Sequence, residues 1–229
     1  MADDESKAEP DLAAAKIPPT LGDRLLLRTL DPKWRIFWII SILSLIADQA
    51  TKIWARAVLP VAGHGTLANG VCAVPEDIAS RRCGGVAVDF ISGFWEWRLS
   101  MNPGSAFGLF GGQSFARIFL SVVGIAAVIG MGWMLKKSRA DQRILHWALA
   151  FVAGGAVGNL IDRIYYGVVT DMVLWRYQTH EWPVFNVADV VLVIGVGLMF
   201  IDIQKEGKRE KVAKRLKLEK AKSAGLVKH

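Results

Sequence analysis

The sequence predicts an all-α membrane protein, a bundle of four transmembrane helices. Three observations carry this. First, 52% of the 229 residues are hydrophobic, and they gather into four stretches of bilayer-crossing length, ~20 residues. Second, Lys and Arg are segregated: six lie in 1–35, four in 136–143 and ten in 204–229, which is twenty of the twenty-eight. Basic blocks that flank apolar runs mark cytoplasmic ends. Third, Trp34, Trp54, Trp133, Tyr165 and Trp182 stand near the ends of the stretches, where amphipathic rings anchor at the membrane interface. The basic blocks lack interleaved aromatics, so they do not read as a nucleic-acid surface.

Residues 1–33 open with "MADDESKAEPDLAAAKIPPT". This stretch is polar and has no apolar core of a cleavable signal, so it is expected to be a disordered cytoplasmic tail. A four-span domain covers 34–203, with spans at about 35–56, 115–135, 144–165 and 186–203. An even number of spans puts both termini on one side, and the basic blocks make that side the cytoplasm. Segment 57–114 and the short loop or helix at 166–185 then face outward. Within the first, "VAVDFISGFWEWRLSMN" alternates with aromatics, which favours short strands on the membrane surface. Cys72 and Cys83 both fall in this segment. They form either a disulfide, in keeping with an oxidising compartment, or two free thiols. Residues 204–229 form a basic helical tail that either fixes topology or meets anionic headgroups. Gly154-x-x-x-Gly158 in the third span allows close helix contact; it serves packing within a monomer or, alternatively, a homodimer.

Ionisable groups inside spans are costly, roughly 2.5–3.5 kcal/mol each, and point to a task. Asp48 and Lys52 in "DQATK" are four apart and share a helix face. They form a self-neutralising pair or support a polar site. Asn159, Asp162 and Arg163 in "GNLIDR" share one face of the third span. They are an interfacial ion pair with a snorkelling arginine or a buried polar cluster. Asn186 and Asp189 open the fourth span, where the first can cap the helix and the second complement its dipole. All lie toward the outer ends of their helices, so one outer polar pocket would collect them. Asp171 lies just beyond the third span.

Two carboxylates brought close cannot both ionise easily: one keeps its proton while the other acts as base. Such a pair can activate water and protonate a leaving amine. Competing chemistries are poorly supplied. His64, His146, His180 and His229 form no HExxH motif, Ser105 has no evident histidine partner, and "GGAVGN" lies inside a helix rather than in a phosphate loop. Neither a metal nor a cofactor is expected.

Five blocks in order, "DQATK" (48–52), "NPGSAFG" (102–108), "GGAVGNLIDR" (154–163), "VVTDMV" (168–173) and "WPVFNVAD" (182–189), resemble the lipoprotein signal peptidases, also called signal peptidase II. The resemblance covers about 35–203. It implies an aspartic endopeptidase of the bacterial inner membrane, active at the periplasmic face. Such an enzyme removes the signal peptide from prolipoproteins by cutting before a cysteine that bears diacylglycerol. Its partners would be those substrates and the membrane lipids. By motif position, Asp171 and Asp189 match the catalytic pair. Asn102, Gly104, Asn159, Asp162, Arg163 and Asn186 match the pocket, with Arg163 and Asn102 candidates to hold substrate backbone, and Asp48 and Lys52 match its support. The resemblance also implies a small extracytoplasmic β-cradle. The outer segment from about 60 to 95, with both cysteines, is longer than in many relatives. Against an enzyme stand a proton-coupled transporter using the same carboxylates, which would need polar residues through the whole bilayer, and an inactive scaffold paralogue.

Overall fold

The computed structural model describes residues 31–63, 72–74, 76–80, 82–104 and 113–223. In chain order its elements are α1 (Pro32–Val58), β1 (Val61–Gly63), α2 (Glu76–Ala79), β2 (Cys83–Gly85), β3 (Val88–Ile91), β4 (Trp95–Asn102), α3 (Gln113–Lys137), α4 (Arg143–Tyr165), β5 (Val169–Tyr177), β6 (His180–Glu181) and α5 (Val187–Ser223). Four of the helices, α1, α3, α4 and α5, are long and apolar enough to cross a membrane. Residues 1–30, most of the expected N-terminal tail, and 224–229, the end of the expected C-terminal tail, lie outside the described residues, as do His64, His229 and Ser105 to Gly108 of the "NPGSAFG" block.

α1 begins three residues before the expected boundary. Asp31 accepts a hydrogen bond from the Lys33 N–H at 3.0 Å, and Pro32 occupies the first turn, where its missing N–H costs nothing. α4 packs against α1, α3 and α5, and its small residues allow the close approach. A Cβ on Gly154 would stand 2.8 Å from the Ser41 carbonyl oxygen of α1, and one on Gly155 would stand 2.6 Å from the Ala188 carbonyl oxygen of α5. Phe37, Leu135, Leu149, Ala150 and Ala153 form a buried apolar cluster where α1, α3 and α4 meet.

The strands form two antiparallel sheets, β1–β2 and β3–β4–β5–β6. β3 and β4 fall in the alternating stretch, and β4 buries Glu96, Leu99 and Met101. The segment expected as a loop or helix at 166–185 is instead a strand hairpin. β5 pairs along β4, Ser100 opposite Asp171 and Asn102 opposite Val169, and then turns into β6. The physical reason is burial on both faces. Val169 through Leu174 are all buried, the polar Thr170 and Asp171 included, so the strand lacks the apolar–polar alternation that marks a half-buried one. The turn at Gln178 takes the left-handed conformation, φ 55°.

α5 does not stop at the end of its apolar half. It runs unbroken to Ser223 and is tied to the α3–α4 turn by Arg139–Glu206 at 2.6 Å and Arg209–Asp141 at 2.9 Å. At the other end of the molecule, Cys72 and Cys83 are disulfide-bonded, with Cα atoms 6.1 Å apart. The bond closes a small unit in which Asp77 accepts the Ala73 N–H at 2.7 Å and pairs with Arg82 at 2.8 Å.

Candidate active site

The site is built outward from α1. Asp48 and Lys52 are fully buried and paired at 2.9 Å. Asp48 also accepts the Ala188 N–H of α5 at 2.9 Å, so the buried carboxylate fixes where α5 begins. Lys52 donates to Asn159 Oδ1 at 2.9 Å and lies 3.5 Å from Asp162. A buried ammonium with three oxygen partners from two helices is compensated and geometrically locked.

Asp162, in the last turn of α4, accepts the Thr170 N–H at 2.8 Å. That bond pins the start of β5 against α4 and so places Asp171, the next residue. Asp171 is 2% exposed. Its carboxylate accepts Asn102 Nδ2 of β4 at 3.2 Å and Asn186 Nδ2 at 2.6 Å. Gly104 in turn donates its N–H to Asn102 Oδ1 at 2.9 Å, which leaves the Asn102 amide to face Asp171. Gly104 holds φ at +91°, a conformation glycine adopts without strain.

Asn186 precedes α5 and forms a reciprocal cap with Asp189. Asn186 Oδ1 accepts the Asp189 N–H at 3.0 Å, and Asp189 Oδ2 accepts the Asn186 N–H at 3.1 Å. This is a capping box with Asn and Asp in its two positions. Asp189 Oδ1 accepts Asn159 Nδ2 at 3.0 Å, and Asn186 Nδ2 reaches Asn159 Oδ1 at 3.2 Å. One asparagine therefore binds both carboxylates. Arg163 donates to the Asn159 carbonyl oxygen at 3.3 Å, while its buried Nε has no partner among the described residues.

The eight pocket and support positions named above thus fall around Asp171 and Asp189: Asn102, Asn159 and Asn186 bond the carboxylates directly, and Gly104, Asp162, Arg163, Asp48 and Lys52 reach them through neighbours. Asp189 lies at a helix start as expected, whereas Asp171, in the segment expected as a loop or helix, rides on β5. Sequence reasoning missed Arg56 and Thr170. Arg56 Nη1 donates to Thr170 Oγ1 at 2.7 Å, lies 3.6 Å from Asp162 and stacks 4.4 Å from the Tyr166 ring centroid. The signal was present, since Asp48, Lys52 and Arg56 recur every four residues on one helix face.

Burial, and then the charge of Asp189, push the Asp171 carboxyl up to about 7, against the opposing pull of the Asn102 and Asn186 hydrogen bonds. A carboxyl in that range holds or releases a proton near neutrality, as general acid–base work requires. A cleft of about 550 Å³ opens beside Asp171, between β4, the disulfide-linked unit and Pro183–Val184.

Residues 40–205 match the family model described as Signal peptidase (SPase) II. The chain belongs to the signal peptidase II family. It is 32% identical over 181 residues to the lipoprotein signal peptidase of Geobacter metallireducens, covering 79% of this chain and 98% of that one. It is 35% identical over 161 residues to that of Polynucleobacter necessarius, covering 70% and 83%. It is also similar to a bacterial membrane enzyme structure obtained by the in meso method at 2.3 Å resolution, with TM-score 0.55 and 25% identity over 75% of this chain and 88% of that one. A second such structure, at 1.9 Å resolution, has TM-score 0.54 and 24% identity and bears on the fold alone. Members of the signal peptidase II family are aspartic peptidases, and this chain is an enzyme of that class.

Proposed function

We propose that the protein is a membrane aspartic endopeptidase that frees diacylglyceryl-modified prolipoproteins from their signal peptides, with Asp171 and Asp189 as the catalytic dyad. The observation that carries this reading is Asn186. Its side-chain amide donates to Asp171, and its backbone N–H donates to Asp189, so a strand carboxylate and a helix carboxylate share one small polar centre.

In the mechanism, water sits between the carboxylates. One aspartate takes its proton as the water oxygen bonds to the scissile carbonyl carbon; the other, protonated, hydrogen-bonds the carbonyl oxygen. The proton then passes to the leaving nitrogen and the C–N bond breaks. The products are a carboxylate on the signal peptide and a free amino group on the lipidated cysteine. Asn102, Asn159 and Asn186 hold the carboxylates in place. Arg163, whose Nε has no partner among the described residues, is suited to a substrate backbone carbonyl. The four helices span the bacterial inner membrane with both termini cytoplasmic, and the four-stranded sheet forms a cradle at the periplasmic surface. Exposed Phe90, Phe94, Trp175 and Trp182 suit an interfacial position.

Asp171→Asn and Asp189→Asn should each lower cleavage of a diacylated precursor by at least a thousandfold while leaving the protein inserted and folded. The check is gel-shift cleavage by purified protein in detergent, with a non-diacylated precursor alongside. Turnover by either variant at more than a few per cent of wild type would exclude the dyad.

A further inference from the structure

The cleft beside Asp171 is lined in part by the disulfide-linked unit. Asp171 and Asn102 line it together with Arg98, Leu99 and Ser100 of β4, Ser100 lying opposite Asp171 in the strand register. Ile78, Ala79, Cys83, Gly84 and Gly85 form the wall. On the opposite side of Asp171 stand Asn186, Asn159 and Lys52, which belong to or adjoin the spanning helices. A polypeptide lying across the dyad therefore has two unlike halves. Its apolar signal segment belongs on the helix side. The chain that follows the lipidated cysteine is soluble and belongs on the sheet side, in the cleft. The volume, about 550 Å³, is in the range of built ligand sites.

The wall is held firmly. Cys72–Cys83 closes the unit, and Asp77 ties its turn through Ala73 and Arg82. Gly85 packs directly on the Leu99 backbone, where a Cβ would overlap the Leu99 carbonyl oxygen. Bare backbone at that crossing lets β2 lie against β4 and sets the width of the cleft.

Resting on the proposed function, we propose that the disulfide-linked unit forms the subsite for the first residues of the mature lipoprotein chain, with Ala79 and Arg98 setting which residues fit. Ala79 leaves room that a large side chain would fill. Arg98 is the only cation among the described residues that line the cleft; it pairs with Glu181 at 3.3 Å, and its positive charge at the cleft disfavours basic residues in the substrate.

The test compares two diacylated substrates: a long precursor carrying about ten residues after the lipidated cysteine, and a short one ending at that cysteine as an amide. Wild type, Ala79→Trp and the Cys72→Ala/Cys83→Ala double variant are assayed on both. The expected result is a tenfold or greater fall in kcat/KM for the long substrate in both variants, through KM, with the short substrate within twofold of wild type. In addition, Arg98→Glu should reverse the preference between long substrates bearing acidic and basic residues after the cysteine. Equal losses on both substrates would make the unit a structural prop, and no loss on the long one would mean the chain runs elsewhere; either outcome overturns the proposal. Cleavage of the short substrate by wild type is the separate control, since its absence indicts the proposed function and not the subsite.

Discussion

Lys52 is fully buried, and its ammonium meets Asp48, Asn159 and Asp162. Removing the cation leaves buried Asp48 without a counter-charge and Asp162 with Arg56 alone, and breaking a buried pair in this way costs ~3–5 kcal/mol. Lys52→Met should therefore lower the thermal midpoint sharply, and Asp48→Asn in the same chain should recover part of the loss. Differential scanning fluorimetry in detergent reads both. Asp171 makes the opposite kind of demand. Its carboxyl is pushed up to about 7 in the folded protein by burial and by Asp189, against an unfolded value of ~3.9. The folded state therefore holds this proton more tightly than the unfolded state. The resulting stability is fully present below about pH 4 and is lost as pH rises through about 7. Asp171→Asn cannot ionise, so its thermal midpoint relative to wild type should be higher at pH 8 than at pH 5, the usual sign of a site that trades stability for function. Wild-type cleavage should decline above about pH 7 as the shared proton is lost, a limb that a pH–rate profile detects.

Among the elements, α4 depends most on small residues. Gly154 faces backbone, the Ser41 carbonyl oxygen, and not a yielding side-chain tip, so Gly154→Ala must separate α1 from α4. The expected cost is ~1–3 kcal/mol, typical of overpacking, measured as a lower midpoint of denaturation. Contacts of Gly154 and Gly158 with α1, and of Gly155 with α5, assign these glycines to packing inside one chain. α3 shows the complementary pattern. Ile118, Val122, Ile129 and Trp133 are each about 60% exposed or more (59% at the lowest) on a helix that packs chiefly against α4. A helix apolar on its outward faces is matched to lipid, not water. β5 is the element that local periodicity did not disclose. Its partner strand is remote in sequence, so the Asn102–Asp171 contact spans 69 residues.

At the scale of the whole molecule, the polar centre lies at one end of the helices and the basic extension of α5 at the other. In the proposed topology that extension is cytoplasmic, as the positive-inside rule expects of a basic flank. A cysteine placed at Asp89, exposed on β3, should react with a membrane-impermeant maleimide in intact spheroplasts. One placed at Lys214 on α5 should react only after permeabilisation. The native pair, Cys72 and Cys83, is bonded and leaves the background clean. Labelling in the reverse order would invert the proposed topology.

By itself, the sequence determined the four apolar stretches, the basic residues that flank them and the polar residue types gathered near the helix ends that meet at the site. These signals are local: hydropathy over some twenty residues and polar groups repeated every three or four positions on one helical face. Asn159, Asp162 and Arg163, or Asn186 and Asp189, were legible for that reason. Only the tertiary structure decided that Asp171 rides on a strand, that Asn186 joins it to Asp189, and that Arg56 completes the charge network through Thr170. Strand pairing and hydrogen bonds between helices link residues far apart in the chain, and no periodicity within either segment encodes which distant partner it will meet.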